Sequence, residues 1–294
     1  MKISSILKNN EPTLSFEVFP PKSSDNFDVV EKATNAIAEL KPDFMSVTYG
    51  AGGSTSKFTA EIASNVEKRG VTSLAHLTCV NSSKESLIEQ VNLLKANGVE
   101  NILALRGDLP EGVSGTDDWV YKHASEIIPV IKSQGDFCIG GACYPEKHPE
   151  SFDSWSDIEN LKIKVDAGCE FLTTQMFFDN NIFFNYLYKV RNAGINVPIV
   201  AGIMPVTNAK QMARIYKLSQ AFLPHRFVAL LDKFKDNPTA MRQAGIAYAT
   251  DQIIDLIASG INNIHIYTMN KPETALALQK NLSEIIPSCK NSNV

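Results

Sequence analysis

Short apolar runs rich in β-branched and aromatic residues alternate along the chain with longer stretches whose apolar positions recur every three or four residues. Eight such runs are present: Leu14–Phe19, Phe44–Thr48, Leu74–Val80, Ile102–Leu105, Phe137–Tyr144, Phe171–Phe177, Ile199–Ile203 and Ile264–Tyr267. The pattern between them is helical. In Lys84–Asn97, Leu87, Val91, Leu94 and the stem of Lys95 share one face. Asn97-Gly98, Ala167-Gly168 and Ala193-Gly194 read as helix stops, because glycine tolerates the left-handed conformation that closes a helix. The stretch Phe222–Asn237 is too long for a plain connection and reads as a loop-helix insertion before a helix near Thr239–Ser259. Lys271–Ile286 reads as the final helix.

Strand-helix alternation implies a parallel sheet with right-handed crossovers. Eight strands of this kind suggest closure into a single-domain α/β fold, a (β/α)8 TIM barrel spanning 1–294. The alternative is an open doubly wound sheet, which usually carries a glycine-rich turn after its first strand. Here that strand ends in Phe19-Pro20-Pro21-Lys22, which cannot form such a turn. A chain of 294 residues suits one such barrel, and 44% hydrophobic residues supply its core. A net charge of −4 advertises no basic surface, so nucleic acid is not an expected partner. No apolar stretch is long enough for a secretory leader or a membrane span. The five cysteines, Cys79, Cys138, Cys143, Cys169 and Cys289, form no C-x-x-C pair. Four of them sit in or beside apolar segments, as reduced thiols in a cytoplasmic protein would.

Candidate chemistry lies at the strand ends, because a barrel gathers the C-terminal ends of its strands at one mouth. Those ends carry Glu17, Thr48, His76, Arg106-Gly107-Asp108, Tyr144, Gln175 and Tyr267. Buried singly and unpaired, each would cost on the order of 1–3 kcal/mol. A shared pocket explains them together. Each also has a plainer reading: Glu17 as a paired floor acid, His76 as a hydrogen-bonded core histidine, Arg106-Gly107-Asp108 as a turn closed by its own ion pair, Gln175 as a strand-end cap. Gly50-Ala51-Gly52-Gly53 reads as a flexible loop rather than a phosphate cradle. His76 and Cys79 are three apart in a strand and point to opposite faces, so they do not make a metal site.

Nine short motifs, in order and at barrel spacing, resemble one family. They are Ser15-Phe16-Glu17-Val18-Phe19-Pro20-Pro21, Ser46-Val47-Thr48-Tyr49-Gly50, His76-Leu77-Thr78-Cys79, Ala104-Leu105-Arg106-Gly107-Asp108-Leu109-Pro110, Tyr144-Pro145-Glu146-Lys147-His148-Pro149-Glu150, Lys164-Val165-Asp166-Ala167-Gly168, Thr174-Gln175-Met176-Phe177-Phe178-Asp179, Gly202-Ile203-Met204-Pro205-Val206 and His265-Ile266-Tyr267-Thr268-Met269-Asn270. Together, from Leu14 to about Ala277, they resemble the methylenetetrahydrofolate reductases. The chain ends where a compact bacterial-type catalytic domain would end, with no room for a regulatory domain.

The resemblance implies that a reduced nicotinamide (NADH or NADPH) passes hydride to FAD, which reduces 5,10-methylenetetrahydrofolate to 5-methyltetrahydrofolate for methionine synthesis. FAD is bound in this family without a dinucleotide fingerprint. Glu17 aligns with the general acid that opens the folate's five-membered ring, and its apolar flanks favour the protonated form. Asp108 aligns with the acid near flavin and pterin. Gln175, Gln211 and Lys271 align with substrate contacts. Thr48, His76, Arg106, Gly107, Asp108, Ala124, Tyr144, His148, Asp157, Asn160 and Lys164 align with FAD contacts. Three positions depart from the family pattern: His123 for a tyrosine, Ile163 for a basic residue and Lys271 for an arginine. Relatives form homo-oligomers. A barrel flavoenzyme acting on small amines, like proline dehydrogenase, and a non-catalytic barrel scaffold are the rival readings.

Overall fold

In a computed structural model, which describes residues 1–9, 11–21, 23–49, 56–80, 82–108 and 119–290, the chain closes into a barrel of eight parallel strands in sequence order. The strands are β1 (Thr13–Val18), β2 (Phe44–Val47), β3 (Thr72–Thr78), β4 (Asn101–Leu105), β5 (Cys138–Cys143), β6 (Phe171–Thr174), β7 (Ile199–Ile203) and β8 (Asn263–Tyr267). β8 pairs back onto β1 from Thr13↔Asn263 to Glu17↔Tyr267. The helices are α1 (Ile3–Ile6), α2 (Phe27–Ala38), α3 (Ser56–Lys68), α4 (Lys84–Ala96), α5 (Ala124–Ser133), α6 (Ser154–Asp166), α7 (Asn180–Asn192), α8 (Met212–Ser219), α9 (His225–Phe234), α10 (Pro238–Ala258), α11 (Pro272–Asn281) and α12 (Ile285–Lys290).

The barrel and its alternation agree with the sequence reading. α4 buries Leu87, Val91 and Leu94 as expected. Lys95 instead leans outward, its Nζ donating to the Gln134 carbonyl at 2.8 Å. Gly98, Gly168 and Gly194 take the positive φ of helix stops. α9 is the expected insertion. The expected final helix is two pieces, α11 and α12. The expected sixth strand overran. The last ladder bond is Gln175 N–H to the Cys143 carbonyl, 2.7 Å. Beyond it the apolar run leaves the barrel, and Phe177 and Phe178 stack on Phe183 of α7 and Phe227 of α9 at 5.0 and 4.5 Å. The short α1 was not foreseen. The glycine-rich segment 50–53 and Leu109-Pro110 lie outside the described residues.

Period-two alternation sorts the strands into an outer apolar face under the helices and an inner face. At the N-terminal end of β2 to β7 the inner face is largely apolar, with buried Asn101 of β4 accepting from the Ile3 N–H at 2.9 Å. One residue from each of β2 to β7 (Phe44, Leu74, Leu103, Cys138, Phe171 and Val200) packs around Ile3 and Leu7, so that α1 plugs the barrel floor. Two residues further along, Ser46 of β2, His76 of β3 and Thr173 of β6 present polar groups to a wide cleft. Of the five cysteines, Cys79, Cys138, Cys143 and Cys169 are buried free thiols. No helix among the described residues is long and apolar enough to cross a membrane.

α10 passes so close to the loop after β7 that a Cβ built on Gly245 would stand 1.9 Å from the Val206 carbonyl oxygen. Helix propensity alone would make Gly245→Ala stabilising by about 1 kcal/mol. The backbone clash reverses the sign, and we expect a loss of about 1–3 kcal/mol in denaturant unfolding. A stabilised variant would show that α10 does not dock there.

Candidate active site

The cleft opens at the C-terminal ends of the strands and encloses about 1330 Å³. Its deepest polar wall is built from β1, β2, β3 and β8. Glu17, 6% exposed, points inward from β1. Three groups from three other strands approach its Oε2. The Ser46 hydroxyl donates at 3.3 Å, His76 Nε2 lies at 3.5 Å and His265 Nε2 at 3.8 Å. Burial lowers His76 to about 4, against the smaller opposing pull of Glu17, so its imidazole is neutral at pH 7. The backbone of Glu17 is also held, its carbonyl accepting from the Thr268 hydroxyl at 2.6 Å. Just beyond, Asn270 clamps both polar groups of the Phe19 backbone, at 2.8 and 2.9 Å. The loop after β8 therefore fixes the exit of the strand that carries the acid. Tyr267 completes the wall, its hydroxyl donating to the Thr174 carbonyl at 2.5 Å.

The opposite wall is charged and more open. Arg106 leaves β4 and grips Glu150 with both arms of its guanidinium at 2.5 and 2.7 Å, while its Nε donates to the Gly107 carbonyl. This fork to Glu150 replaces the turn-internal ion pair with Asp108. Gly107 turns with φ +92°, and a Cβ there would press on Thr78 and Val80 at 3.0 Å. Only glycine lets the chain pivot here, so that Arg106 and the exposed Asp108 both border the cleft.

Tyr144, pushed up to about 12 by burial and by the Asp108 charge, meets His148 edge-on at 4.7 Å. Asp157 accepts from the His148 backbone N–H at 3.2 Å and from the Ser151 hydroxyl at 2.7 Å. Lys164 reaches down from α6 and donates to the Ala142 carbonyl at 2.7 Å. Burial holds its ammonium below the usual lysine range. Thr48, Ala124, Asn160 and Gln175 border the same space.

The family model for methylenetetrahydrofolate reductase matches residues 2–283. The 5,10-methylenetetrahydrofolate reductase of Escherichia coli is 35% identical over 266 residues, covering 90% of this chain and 88% of that protein. The chain belongs to the methylenetetrahydrofolate reductase family. Methylenetetrahydrofolate reductase (NADH) 1 of Arabidopsis thaliana is 36% identical over 301 residues, 97% of this chain. The chain spans about half the length of that relative. Among solved structures, a Clostridium thermocellum protein, described as binding two copies of 5-methyl-5,6,7,8-tetrahydrofolic acid, superposes with a TM-score of 0.66. At 15% identity over 97% of this chain and all of that one, it attests the shared fold.

The cleft thus brings together Glu17, Asp108 and Gln175 with Thr48, His76, Arg106, Gly107, Ala124, Tyr144, His148, Asp157, Asn160 and Lys164, positions expected at the site from the sequence resemblance. Lys271 is not in its lining; its Nζ donates to the Thr207 hydroxyl at 2.8 Å. Gln211 ends a short 3-10 turn, and its side chain lies outside the described atoms. Several lining groups were not singled out from sequence: Ser46, Thr78, Thr173, His265 and the arginine's partner Glu150. The first four follow from counting two residues along strands whose other inward positions were already identified. Glu150 had no such signal.

Because buried His76 is neutral while its unfolded counterpart titrates near 6.5, the unfolded chain binds more protons below that pH. The stability this supplies is complete above about pH 6.5, and roughly 3 kcal/mol of it is lost as pH falls to 4. Unfolding measured across this window should be less steep with pH for His76→Gln than for the wild type. Parallel curves would place His76 in water.

Proposed function

We propose that this protein reduces 5,10-methylenetetrahydrofolate to 5-methyltetrahydrofolate with a bound FAD and NADH, within one FAD-binding barrel. The observation that carries the reading is a carboxylic acid, Glu17, sunk in the barrel interior and aimed into a cleft large enough for two ligands side by side. The substrate's methylene bridge joins two nitrogens. Protonating the departing nitrogen opens the ring to an electrophilic iminium ready for hydride. FAD supplies the carrier that accepts hydride from the nicotinamide and passes it to this carbon.

The residues present fit that cofactor. His76 Nε2, Thr78 Oγ1 and Thr173 Oγ1 are buried polar atoms without a hydrogen-bond partner, and their residues border the cleft. Such atoms call for a polar ligand. On this reading, His76, Thr48, Gly107 and Ala124 hold the flavin end. Tyr144, His148, Asp157, Asn160 and Lys164 hold the ribose and phosphates, with Arg106 released from exposed Glu150 to join them. Asp108 and Gln175 receive the pterin's donor-rich edge, and Gln175 offers both a donor and an acceptor. Exposed Asp108 also places a negative charge where it disfavours further charge on a reduced ring. NADH is the proposed donor by similarity to methylenetetrahydrofolate reductase (NADH) 1 of Arabidopsis thaliana. The buried, reduced cysteines suit the cytoplasm.

The purified protein should be yellow. NADH should bleach it anaerobically, and methylenetetrahydrofolate should restore the colour. Glu17→Gln should keep the first half-reaction and slow the second by about 10²–10⁴-fold, the usual worth of a general acid. Stopped-flow traces of each half-reaction decide, and an equal loss in both would remove Glu17 from the acid role. A flavin bleached by proline or another small amine would favour the amine-oxidising alternative.

A further inference from the structure

We propose that Glu17 and His265 hold one proton jointly through the Ser46 hydroxyl, making Ser46 and His265 positioning residues that keep the acid charged with a proton. The proposal rests on Glu17 being the acid of the reaction above. His265 lies on β8, 1% exposed and out of reach of bulk water. Its Nδ1 stands 2.7 Å from the Ser15 hydroxyl, which itself donates to the Ile264 carbonyl at 3.0 Å. A serine has one hydrogen to give. Ser15 gives its own to the carbonyl, so His265 must carry a hydrogen on Nδ1 and donate it.

On the other side, His265 Nε2 stands 3.1 Å from the Ser46 hydroxyl, which stands 3.3 Å from Glu17 Oε2. Two arrangements satisfy every atom of this chain. In one, Glu17 is the acid: its O–H donates to Ser46, and Ser46 donates to a neutral Nε2. In the other, Glu17 is the carboxylate: Ser46 donates to it, and an imidazolium Nε2–H donates to Ser46. Two hydrogens moving one place each, from Nε2 to Ser46 and from Ser46 to Oε2, convert the second into the first. Both arrangements carry one proton on the pair. Without that proton, Ser46 must choose between the carboxylate and Nε2, and the loser is a buried acceptor with no donor, at a cost on the order of 1–3 kcal/mol.

In turnover, the Glu17 O–H bond breaks as the substrate's N–H bond forms and its ring C–N bond opens. The pair is left one proton short and takes one from water entering the cleft. The groups around it do not compete for this proton. His76, beside the same oxygen, is neutral at pH 7 through burial. Tyr267, edge-on to His265 at 5.4 Å, is held far above its ordinary range by burial. Phe44 stacks on the imidazole at 5.8 Å, and β7 sets Gly202 beside it.

The test is ¹⁵N-histidine NMR of the flavin-loaded protein, with His265 identified among five histidines by its loss in His265→Asn. The wild-type Nε2 resonance should lie between the protonated and neutral values. In Glu17→Gln, which has no charge to hold the proton, it should move to the neutral position with the hydrogen on Nδ1. Identical His265 shifts in the two proteins overturn the proposal.

In the folate half-reaction, the high-pH limb of the rate should move to lower pH in Ser46→Ala. Ser46→Thr, which keeps the hydroxyl, should restore it. A Ser46→Ala profile overlying the wild type overturns the proposal equally. If methylenetetrahydrofolate fails to reoxidise the wild-type flavin, the substrate reading fails instead, and the NMR comparison still decides whether the proton is shared.

Discussion

A carboxyl group inside a parallel barrel is the feature on which the rest of the site depends. Glu17 is nearly inaccessible, and an isolated buried charge would be expelled or neutralised. It stays because the barrel closes. Ser46, His76 and His265 come from β2, β3 and β8, and they meet around one oxygen only when β8 pairs with β1. The loop after β8 then locks the same strand's exit through Thr268 and Asn270. The acid's environment is thus a product of closure rather than of any local sequence segment.

The barrel interior divides its labour by depth. The floor is largely apolar, plugged by Ile3 and Leu7, and supplies hydrophobic stabilisation, while its buried Asn101 is satisfied by the Ile3 N–H and the Ser73 carbonyl. The upper layers give up that burial for polar groups, and some of them lack any protein partner. Such atoms cost stability unless a ligand meets them, which is the usual signature of a site rather than of a core. The charged wall around Arg106, Glu150 and Lys164 is already hydrogen-bonded, so a ligand there exchanges partners instead of creating them.

The fold was legible because its signal is repetitive: eight β-branched runs, each followed by an amphipathic stretch. The failures were local. Phe177 and Phe178 extend an apolar run past the end of β6, yet they pack outside the barrel, and hydrophobicity does not reveal which surface a residue joins. The four-residue helix α1 has too few turns for a periodic signal. Glu17, Asp108 and Gln175 could be placed at one mouth because strand ends in a barrel share it. His265 and Ser46 were readable in principle, each lying two residues before an inward position already identified, Tyr267 and Thr48. The pairing of Arg106 with Glu150 could not be read, because it joins separate loops 44 residues apart.

The central claim is that the acid in the barrel wall faces the folate. A crystal structure with FAD and 5-methyltetrahydrofolate bound tests it most directly. The Glu17 carboxyl should stand within hydrogen-bond reach of the folate's N10, with the pterin between Asp108 and Gln175. A folate bound elsewhere, or a Glu17 turned away from that nitrogen, would contradict it.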